Sequence, residues 1–452
     1  MNDSAQAAVA QPLTPQSQSP VPDSSRPSPT NANPSREPAT ADSGVITSRS
    51  GIIRLMIGFF LVGFMWAAPF FGSANVLLPQ RFQDIGLPNP TGVIAQLNSV
   101  GAIVAVVANI AFGVFSDRSR SRFGRRTPFM VCGAAFAGIR LYLMVTATTL
   151  PMILLFWSGV QLGMNALLGP FLAVLSDRVP EDRRAKISAA YGLGILVAQP
   201  GGTALASSLI ENQVIGFLIF GITLGISGLL TVLIWPKEPS AKNLAPEPFS
   251  MQSIATSFTP PTKGAADFYR ALVGRLLIMG GYYMLASFQL YLFKSYVGLS
   301  TKDAAAAMTV LSMCILVPSI FALLAAAPLS DRLRRRKPMV VLCAVALAIG
   351  IIVPFLWPAK MAMFIYAGFA GLCFGIYNTV DQALNVDVLP DKEKAGKDLG
   401  ILNLSTTLGQ IFGPILTSTI YGATGGYKAI FPVAAIISLA AVPFIATIKK
   451  AK

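Results

Sequence analysis

Two charged residues lie inside long apolar segments, where they can bind a ligand or carry a proton. Arg140 lies in the middle of the apolar segment at 128–148, and Asp381 lies near the end of the segment at 360–385. Placing a charged side chain within the bilayer costs free energy, so such a residue usually has a functional or structural role. Arg140 can hold an anionic group or several sugar hydroxyls, and Asp381 can bind and release a proton. The structural alternatives are snorkelling or local pairing for Arg140 and a fixed ion pair for Asp381.

The composition argues against an enzyme. The chain of 452 residues contains 0 histidines, which excludes histidine acid–base catalysis and histidine metal sites. It has no phosphate-binding loop and no nucleophile–base set, so we predict no enzymatic activity, no cofactor and no metal. Its 4 cysteines all fall in apolar segments, and we expect them to be buried small side chains without disulfides.

Two dense basic turns suggest a gate. The segment Ser116-Asp117-Arg118, extended to Arg125-Arg126, separates two apolar segments, and Ser330-Asp331-Arg332 begins a similar turn. A carboxylate at such a mouth can pair with a nearby arginine and with the positive N-terminal end of a helix. We therefore predict a set of gate residues in the two turns. The set is Asp117, Arg118, Arg125, Arg126, Asp331 and Arg332. Alternatively, the arginines only set the topology and contact anionic lipid.

The rest of the chain has the composition of a polytopic membrane protein. It is 53% hydrophobic and 12% charged, well below the roughly 25% charged residues of a soluble domain. Its net charge of +15 is concentrated in short turns, which points to topology and not to nucleic-acid binding. Twelve apolar segments are each about 20 residues long, as a bilayer-spanning helix requires. We predict helices at 52–79, 92–115, 128–148, 151–175, 187–210, 214–235, 271–295, 303–327, 338–357, 360–385, 399–422 and 427–448.

The twelve segments form two matching halves. Asp177 and Asp387 are 210 residues apart, and so are Pro128 and Pro338. We predict an all-α membrane protein of twelve transmembrane helices in two pseudo-symmetric six-helix halves. The basic turns place both termini in the cytoplasm, in the inner or plasma membrane. The predicted regions are a disordered tail at 1–50, halves at 51–235 and 271–448, a linker at 236–270 with a short surface helix near Ser250–Phe258, and a tail at 449–452.

Amide and aromatic side chains within the apolar segments suit a hydroxylated ligand. Amides can bond to hydroxyl groups, and aromatic rings can stack on an apolar sugar face. Interhelical hydrogen bonding uses the same residue types and is the alternative. We predict the substrate-binding residues to be Trp66, Asn165, Gln289, Asn378 and Arg140.

The first basic turn resembles the signature of the major facilitator superfamily. It carries Gly113, Ser116-Asp117-Arg118 and Gly124-Arg125-Arg126. The extended form, Arg122 to Pro128, and Asn165 followed by Pro170 are similar to the glycoside and sucrose cation-symporter branches. The resemblance implies a small-molecule transporter with alternating access. The chain departs from those branches at Asn98, Asn109 and Leu168, where the sodium-coupled permeases place aspartates, and this departure argues against sodium.

These features together favour a secondary active transporter. We expect proton-coupled movement of a sugar or glycoside by a monomer in the bilayer, with Asp381 as the proton-coupling residue. One alternative is proton-driven efflux of drugs or other amphipathic molecules, which a cavity rich in Phe and Met with few amides would favour. The other is a non-transporting receptor or scaffold.

Overall fold

Twelve consecutive helices make up the part of the chain that the structure describes. This computed structural model describes residues 46, 48–242, 260–262, 264–333, 337–389 and 395–449. Within these helices, the side chains at 326–333, 378–379, 382–383, 386 and 395–397 lie outside the description. No strand occurs among the described residues, and the predicted all-α fold of two six-helix halves is confirmed.

The helices are numbered in chain order. They are α1 Arg49–Asp84, α2 Pro90–Arg118, α3 Thr127–Leu143, α4 Leu150–Arg178, α5 Glu181–Ser208, α6 Gln213–Ile234, α7 Ala266–Ala286 with its bent continuation Gln289–Tyr296, α8 Thr301–Leu333, α9 Lys337–Leu356, α10 Lys360–Ile376 with its continuation to Asp387, α11 Ala395–Thr424 and α12 Ile430–Ala446.

Most of these helices are long and apolar enough to cross a membrane. Among the described residues, eight helices meet this condition singly, and α7 meets it together with its continuation across a 48° bend. Helices α10 and α12 are apolar but shorter. Helix α5 is long, but charged residues such as Glu181 and Arg184 fill its first turns. The chain is therefore a multi-pass membrane protein.

Local sequence explains where several helices begin or change pitch. Asn89 caps α2, since its side chain accepts a hydrogen bond from the Gly92 amide at 2.9 Å, and Pro90 occupies the first turn. Wider π-helical turns interrupt three helices, at Ser73–Leu77, Leu292–Tyr296 and Tyr377–Asp381. Such turns often occur at functional sites. The last of them contains Asn378 and Asp381.

Helix packing separates the chain into two groups. Helices α1–α6, the N-terminal half, pack mainly against one another, as do α7–α12, the C-terminal half. The pairs α2–α11 and α5–α8 pack across the two halves. Close backbone approach is possible where glycines meet: a Cβ added at Gly138 of α3 would collide with the Gly221 carbonyl oxygen of α6. The predicted surface helix near Ser250–Phe258 and the first 45 residues lie outside the described residues.

The expectation that the cysteines are buried and form no disulfides is wrong in two respects, because Cys132 is exposed and two other cysteines are joined. Cys343 of α9 and Cys373 of α10 form a disulfide, with their Cα atoms 4.8 Å apart. Only the packing of α9 on α10 brings them together, so their spacing of 30 residues carried no signal. Cys132 and Cys314 are free thiols.

Candidate functional site

A cavity of about 720 Å³ lies between the two halves. Its described lining includes eight amide side chains and eight aromatic ones, and it contains no Asp, Glu, Lys or Arg. The amides are Asn75, Asn98, Asn109, Gln161, Asn165, Gln199, Gln289 and Gln410. The aromatic residues are Trp66, Phe70, Phe71, Phe82, Trp157, Tyr282, Tyr283 and Phe374.

Hydrogen bonds within the wall orient several amides. On the N-terminal side, Asn109 Nδ2 donates to Asn165 Oδ1 at 3.2 Å, and Asn165 Nδ2 donates to the Gln161 carbonyl oxygen at 2.9 Å. On the C-terminal side, Gln410 Nε2 donates to the Tyr283 hydroxyl at 2.9 Å. Fixed amides of this kind present both donors and acceptors, so they can recognise hydroxyl groups.

Each half also contributes a stacked aromatic pair to the lining. Phe70 and Trp157 have ring centroids 5.6 Å apart with 24° between their planes. Tyr282 and Phe374 have centroids 6.0 Å apart and an angle of 28°. Ring faces of this kind can pack on the apolar side of a sugar or on a planar aglycone.

The structure places three of the five predicted substrate-binding residues in the cavity wall. Trp66, Asn165 and Gln289 line the cavity. The side chain of Asn378 lies outside the described part. Arg140 is not among the lining residues: its guanidinium lies over the rings of Phe136 and Phe156, at 5.0 and 5.9 Å.

Asp381 is buried next to an arginine that the sequence analysis did not select. Arg275 Nη1 lies 3.1 Å from Asp381 Oδ2, and both side chains are 5% exposed. Asn385 Nδ2 also donates to Asp381 Oδ2, at 3.0 Å. Arg275 is close to the beginning of the segment predicted at 271–295, where an arginine normally serves as a topology signal, whereas the helix itself already begins at Ala266.

At the first basic turn, Arg126 holds two carboxylates. Its guanidinium lies 2.5 Å from Asp117 Oδ1 and 2.8 Å from Asp177 Oδ2, and it donates to Ser116 Oγ. Arg125 also reaches Asp177, at 3.1 Å. The cluster joins the ends of α2 and α4 to the start of α3, within one half. The sequence indicated Asp177 only as a position repeated at Asp387, and it was not predicted to be a gate residue.

A third carboxylate, that of Glu238, holds the same turn. Glu238, which follows α6, accepts hydrogen bonds from the backbone amides of Arg125, Arg126 and Thr127 at 2.9, 3.1 and 3.0 Å. It therefore caps the N-terminus of α3. Arg178 fixes the preceding residues, since its Nη2 donates to the Pro236 and Lys237 carbonyl oxygens.

The structure gives less detail for the other three predicted gate residues, which are Arg118, Asp331 and Arg332. Arg118 is the last residue of α2 and is half-buried. Asp331 and Arg332 lie within α8, but their side chains are outside the described part. Their role in a gate stays a prediction.

Hydrogen bonds join the two halves at the end opposite the first basic turn. The Tyr291 hydroxyl donates to the Pro79 carbonyl oxygen at 2.8 Å. Lys294 Nζ donates to Gln80 and Gln83 at 2.8 and 2.5 Å. The hydroxyls of Thr91 and Tyr427 lie 2.9 Å apart. These contacts hold the two halves together at that end of the cavity.

Comparisons with known proteins agree with this architecture. A comparison with curated protein sequences gives no match. Many solved structures match this chain, and two of them are examples of the shared fold. A bacterial homologue of the human lysosomal transporter Spinster, inward-facing and unoccupied, has a TM-score of 0.65 and 15% identity, covering 88% of this chain and 95% of the other. The nucleoside transporter NupG has a TM-score of 0.69 and 15% identity, covering 88% and 100%. The sequence profile of the Major Facilitator Superfamily matches residues 55–318 and 271–451. The chain therefore belongs to the major facilitator superfamily and is a membrane transporter.

Proposed function

We propose that this transporter moves a neutral, polyhydroxylated molecule of the sugar or glycoside class, together with protons. The observation that carries the proposal is the wall of the cavity, whose described residues combine eight amides with eight aromatic side chains and no ionised group. A charged ligand would lose its hydration in such a cavity without gaining a counter-ion. A sugar exchanges its water bonds for amide bonds and packs its apolar face on the rings.

The same wall disfavours export of amphipathic cations. A cavity for such molecules would be rich in Phe and Met and poor in amides. Here Met164 is the one methionine in the described lining, and amides are as frequent as aromatic rings. A nucleoside, the kind of molecule named for NupG, joins a sugar to a planar ring and fits the same chemistry, so it belongs in any substrate screen.

Protons are the coupling ion in this proposal, and Asp381 binds them. Sodium needs oxygen ligands with an anionic member, yet helices α2 and α4 offer amides such as Asn98, Asn109 and Asn165. Asp381 is a buried carboxylate and the last residue of a π-helical turn, a feature that often occurs at functional sites. A proton bound to Asp381 neutralises its carboxylate, which when ionised must stay paired with Arg275 because both side chains are buried.

The two halves, at 51–235 and 271–448, rock against each other in this account. Both termini and the basic turns face the cytoplasm of the inner or plasma membrane. The contacts of Tyr291 and Lys294 then close the outer end, while the clusters around Arg126 and Glu238 hold the inner ends of α2, α3 and α4. The protein works as a monomer.

Ligand-induced thermal stabilisation tests the substrate class with a matched pair. p-Nitrophenyl β-glucoside is neutral, and p-nitrophenyl β-glucuronide differs by one carboxylate. A ligand at 100 times its dissociation constant stabilises the folded state by about 2.7 kcal/mol. We expect glucosides, disaccharides or nucleosides to raise the melting temperature, and the glucuronide and tetraphenylphosphonium to leave it unchanged. Stabilisation by the charged compounds and by none of the neutral ones would contradict the proposal.

A further inference from the structure

The proton site and the substrate site are separate in this structure. The described wall of the cavity has no carboxylate, and neither Asp381 nor Arg275 belongs to it. A proton bound at Asp381 therefore has to act on the substrate through the protein. This inference rests on the proposed proton coupling and asks which residues make the connection.

We propose that Arg275 and Thr406 form this connection. Arg275 of α7 has partners in two directions: its Nη1 forms an ion pair with Asp381 Oδ2 at 3.1 Å, and its Nε donates a hydrogen bond to Thr406 Oγ1 of α11 at 3.0 Å. Thr406 thus ties α11 to the ion pair. Its neighbour Thr407 lines the cavity.

Helices α7 and α11 meet a second time in the cavity wall. Tyr283 of α7 and Gln410 of α11 both line the cavity, and Gln410 Nε2 donates to the Tyr283 hydroxyl at 2.9 Å. Gln410 follows Thr406 by about one helical turn, so both bonds lie on the same stretch of α11. A shift of α11 at Thr406 therefore moves a group that contacts the substrate.

Close packing between the same two helices transmits such a shift. A Cβ added at Gly409 of α11 would lie 2.7 Å from Met279 Cβ of α7, and one added at Gly413 would lie 2.7 Å from the Gly280 carbonyl oxygen. The backbones thus touch without intervening side chains, as glycine-rich membrane interfaces allow. Interfaces packed this closely have low compressibility and transmit strain from one helix to the other.

Protonation of Asp381 changes the partners of Arg275. A proton entering from water neutralises the carboxylate and leaves the guanidinium, 5% exposed, without its counter-charge. A buried unpaired charge is strongly disfavoured, so Arg275 has to find new partners or move. Its bond to Thr406 then pulls on α11. The proton returns to water on the other side of the membrane when the pair forms again.

Other ionisable groups around Asp381 are tyrosines or more distant charges. Tyr377 lies under the Arg275 guanidinium at 5.2 Å, and Tyr282 and Tyr283 are on α7. Arg270 pairs with Asp267 one turn before Arg275. Asp398 of α11 precedes Thr406 by eight residues, about 12 Å along the helix. Three neighbouring helices carry further charged residues. On α9, Lys337 donates a hydrogen bond to the Ile448 carbonyl oxygen. Asp387 lies at the end of α10, and Lys302 and Asp303 lie at the far end of α8.

The substitution Thr406→Val tests the connection because it keeps the shape of the side chain and removes the acceptor of Arg275 Nε. Its control is Thr419→Val, an exposed threonine on the same helix that bonds only within α11. The readouts are substrate exchange without a gradient, and the pH dependence of binding, measured with p-nitrophenyl β-glucoside, sucrose and uridine. Coupling between two sites is reciprocal and typically amounts to between about 5-fold and 150-fold in affinity.

We expect Thr406→Val to retain exchange but to lose the dependence of substrate affinity on pH, while the control behaves as wild type. Retention of the wild-type pH dependence in Thr406→Val would overturn the connection and leave proton binding at Asp381 intact. If Asp381→Asn also kept the pH dependence of substrate affinity, the proposal that Asp381 couples protons to transport would be contradicted. Binding of none of the three probes would refute the proposed substrate class and this inference with it.

Discussion

The ammonium of Lys294 lies 2.8 Å from the side-chain oxygen of Gln80, and this bond joins the C-terminal half to the N-terminal half. The same ammonium reaches Gln83, so one side chain makes two contacts across the outer end of the cavity. Hydrogen bonds of a charged group contribute about 1.5–3 kcal/mol each when they are shielded from water. Lys294 is half-buried, so the lower value applies.

Removal of this contact should open the outer end more often. In Lys294→Met, we expect a cysteine placed at Ser287, a small residue of the cavity wall, to react faster with an impermeant maleimide added from outside. The background should lack Cys132 and Cys314. Lys302→Met, an exposed lysine at the same end, is the matched control. Equal labelling in both variants would show that Lys294 does not hold the outer end closed.

The two carboxylates around Arg126 should differ in their contribution to stability. Asp177 accepts bonds from both Arg125 and Arg126 and is 25% exposed, whereas Asp117 contacts Arg126 alone and is 43% exposed. We expect Asp177→Asn to lower the free energy of unfolding by about 1–2 kcal/mol, and Asp117→Asn by less, because exposed pairs contribute little. Thermal unfolding in detergent measures both. A larger loss for Asp117→Asn would contradict this ranking.

Asp117 should matter more for turnover than for stability. If it belongs to the inner gate, Asp117→Ala should slow transport while substrate affinity stays at the wild-type value, because the cavity wall does not include it. Initial rates in proteoliposomes, together with equilibrium binding, separate the two quantities. A variant with normal turnover would remove Asp117 from the gate.

Glu238 should stabilise the start of α3. Glu238→Ala leaves the backbone amides of Arg125, Arg126 and Thr127, at and just before the start of α3, without this acceptor, and loss of a capping side chain costs about 0.5–2 kcal/mol. We expect a lower melting temperature than in Glu211→Ala, since Glu211 is exposed between α5 and α6. Identical melting temperatures would show that this capping adds nothing measurable.

Substitutions of Arg140 and Asn165 should differ in their effect on substrate binding. Its guanidinium packs on Phe136 and Phe156 outside the lining, whereas Asn165 lines the cavity. We therefore expect Asn165→Ala to weaken glucoside binding and Arg140→Gln to leave it unchanged, as measured by ligand-induced thermal shifts. The reverse order would restore Arg140 as a ligand-binding residue.

Apolar periodicity and repeated turns were enough to predict the fold. Segments of bilayer length and the matching turns at Asp177 and Asp387 indicated twelve helices in two halves, and the structure has them. The helix ends moved by a few residues: α5 begins at Glu181, before the predicted position 187, because charged residues continue the helix beyond the apolar segment.

Contacts between distant segments could not be predicted in the same way. Arg275 and Asp381 lie on different helices, and so do Cys343 and Cys373, so only the packing brings each pair together. Lys294 lies within the helix predicted at 271–295, and the sequence did not indicate that the chain bends by 48° and then makes a π-helical turn there. The role of Glu238 could not be predicted from residue types, because its partners are backbone amides, which every residue except proline has.

Uptake into proteoliposomes with an imposed pH gradient tests the central claim most directly. With acid outside, wild-type protein should accumulate a neutral glycoside above its external concentration, and a protonophore should abolish this accumulation. Asp381→Asn should equilibrate the glycoside by exchange without accumulating it. Accumulation that ignores the gradient, or equal accumulation by Asp381→Asn, would contradict proton-coupled transport through this residue.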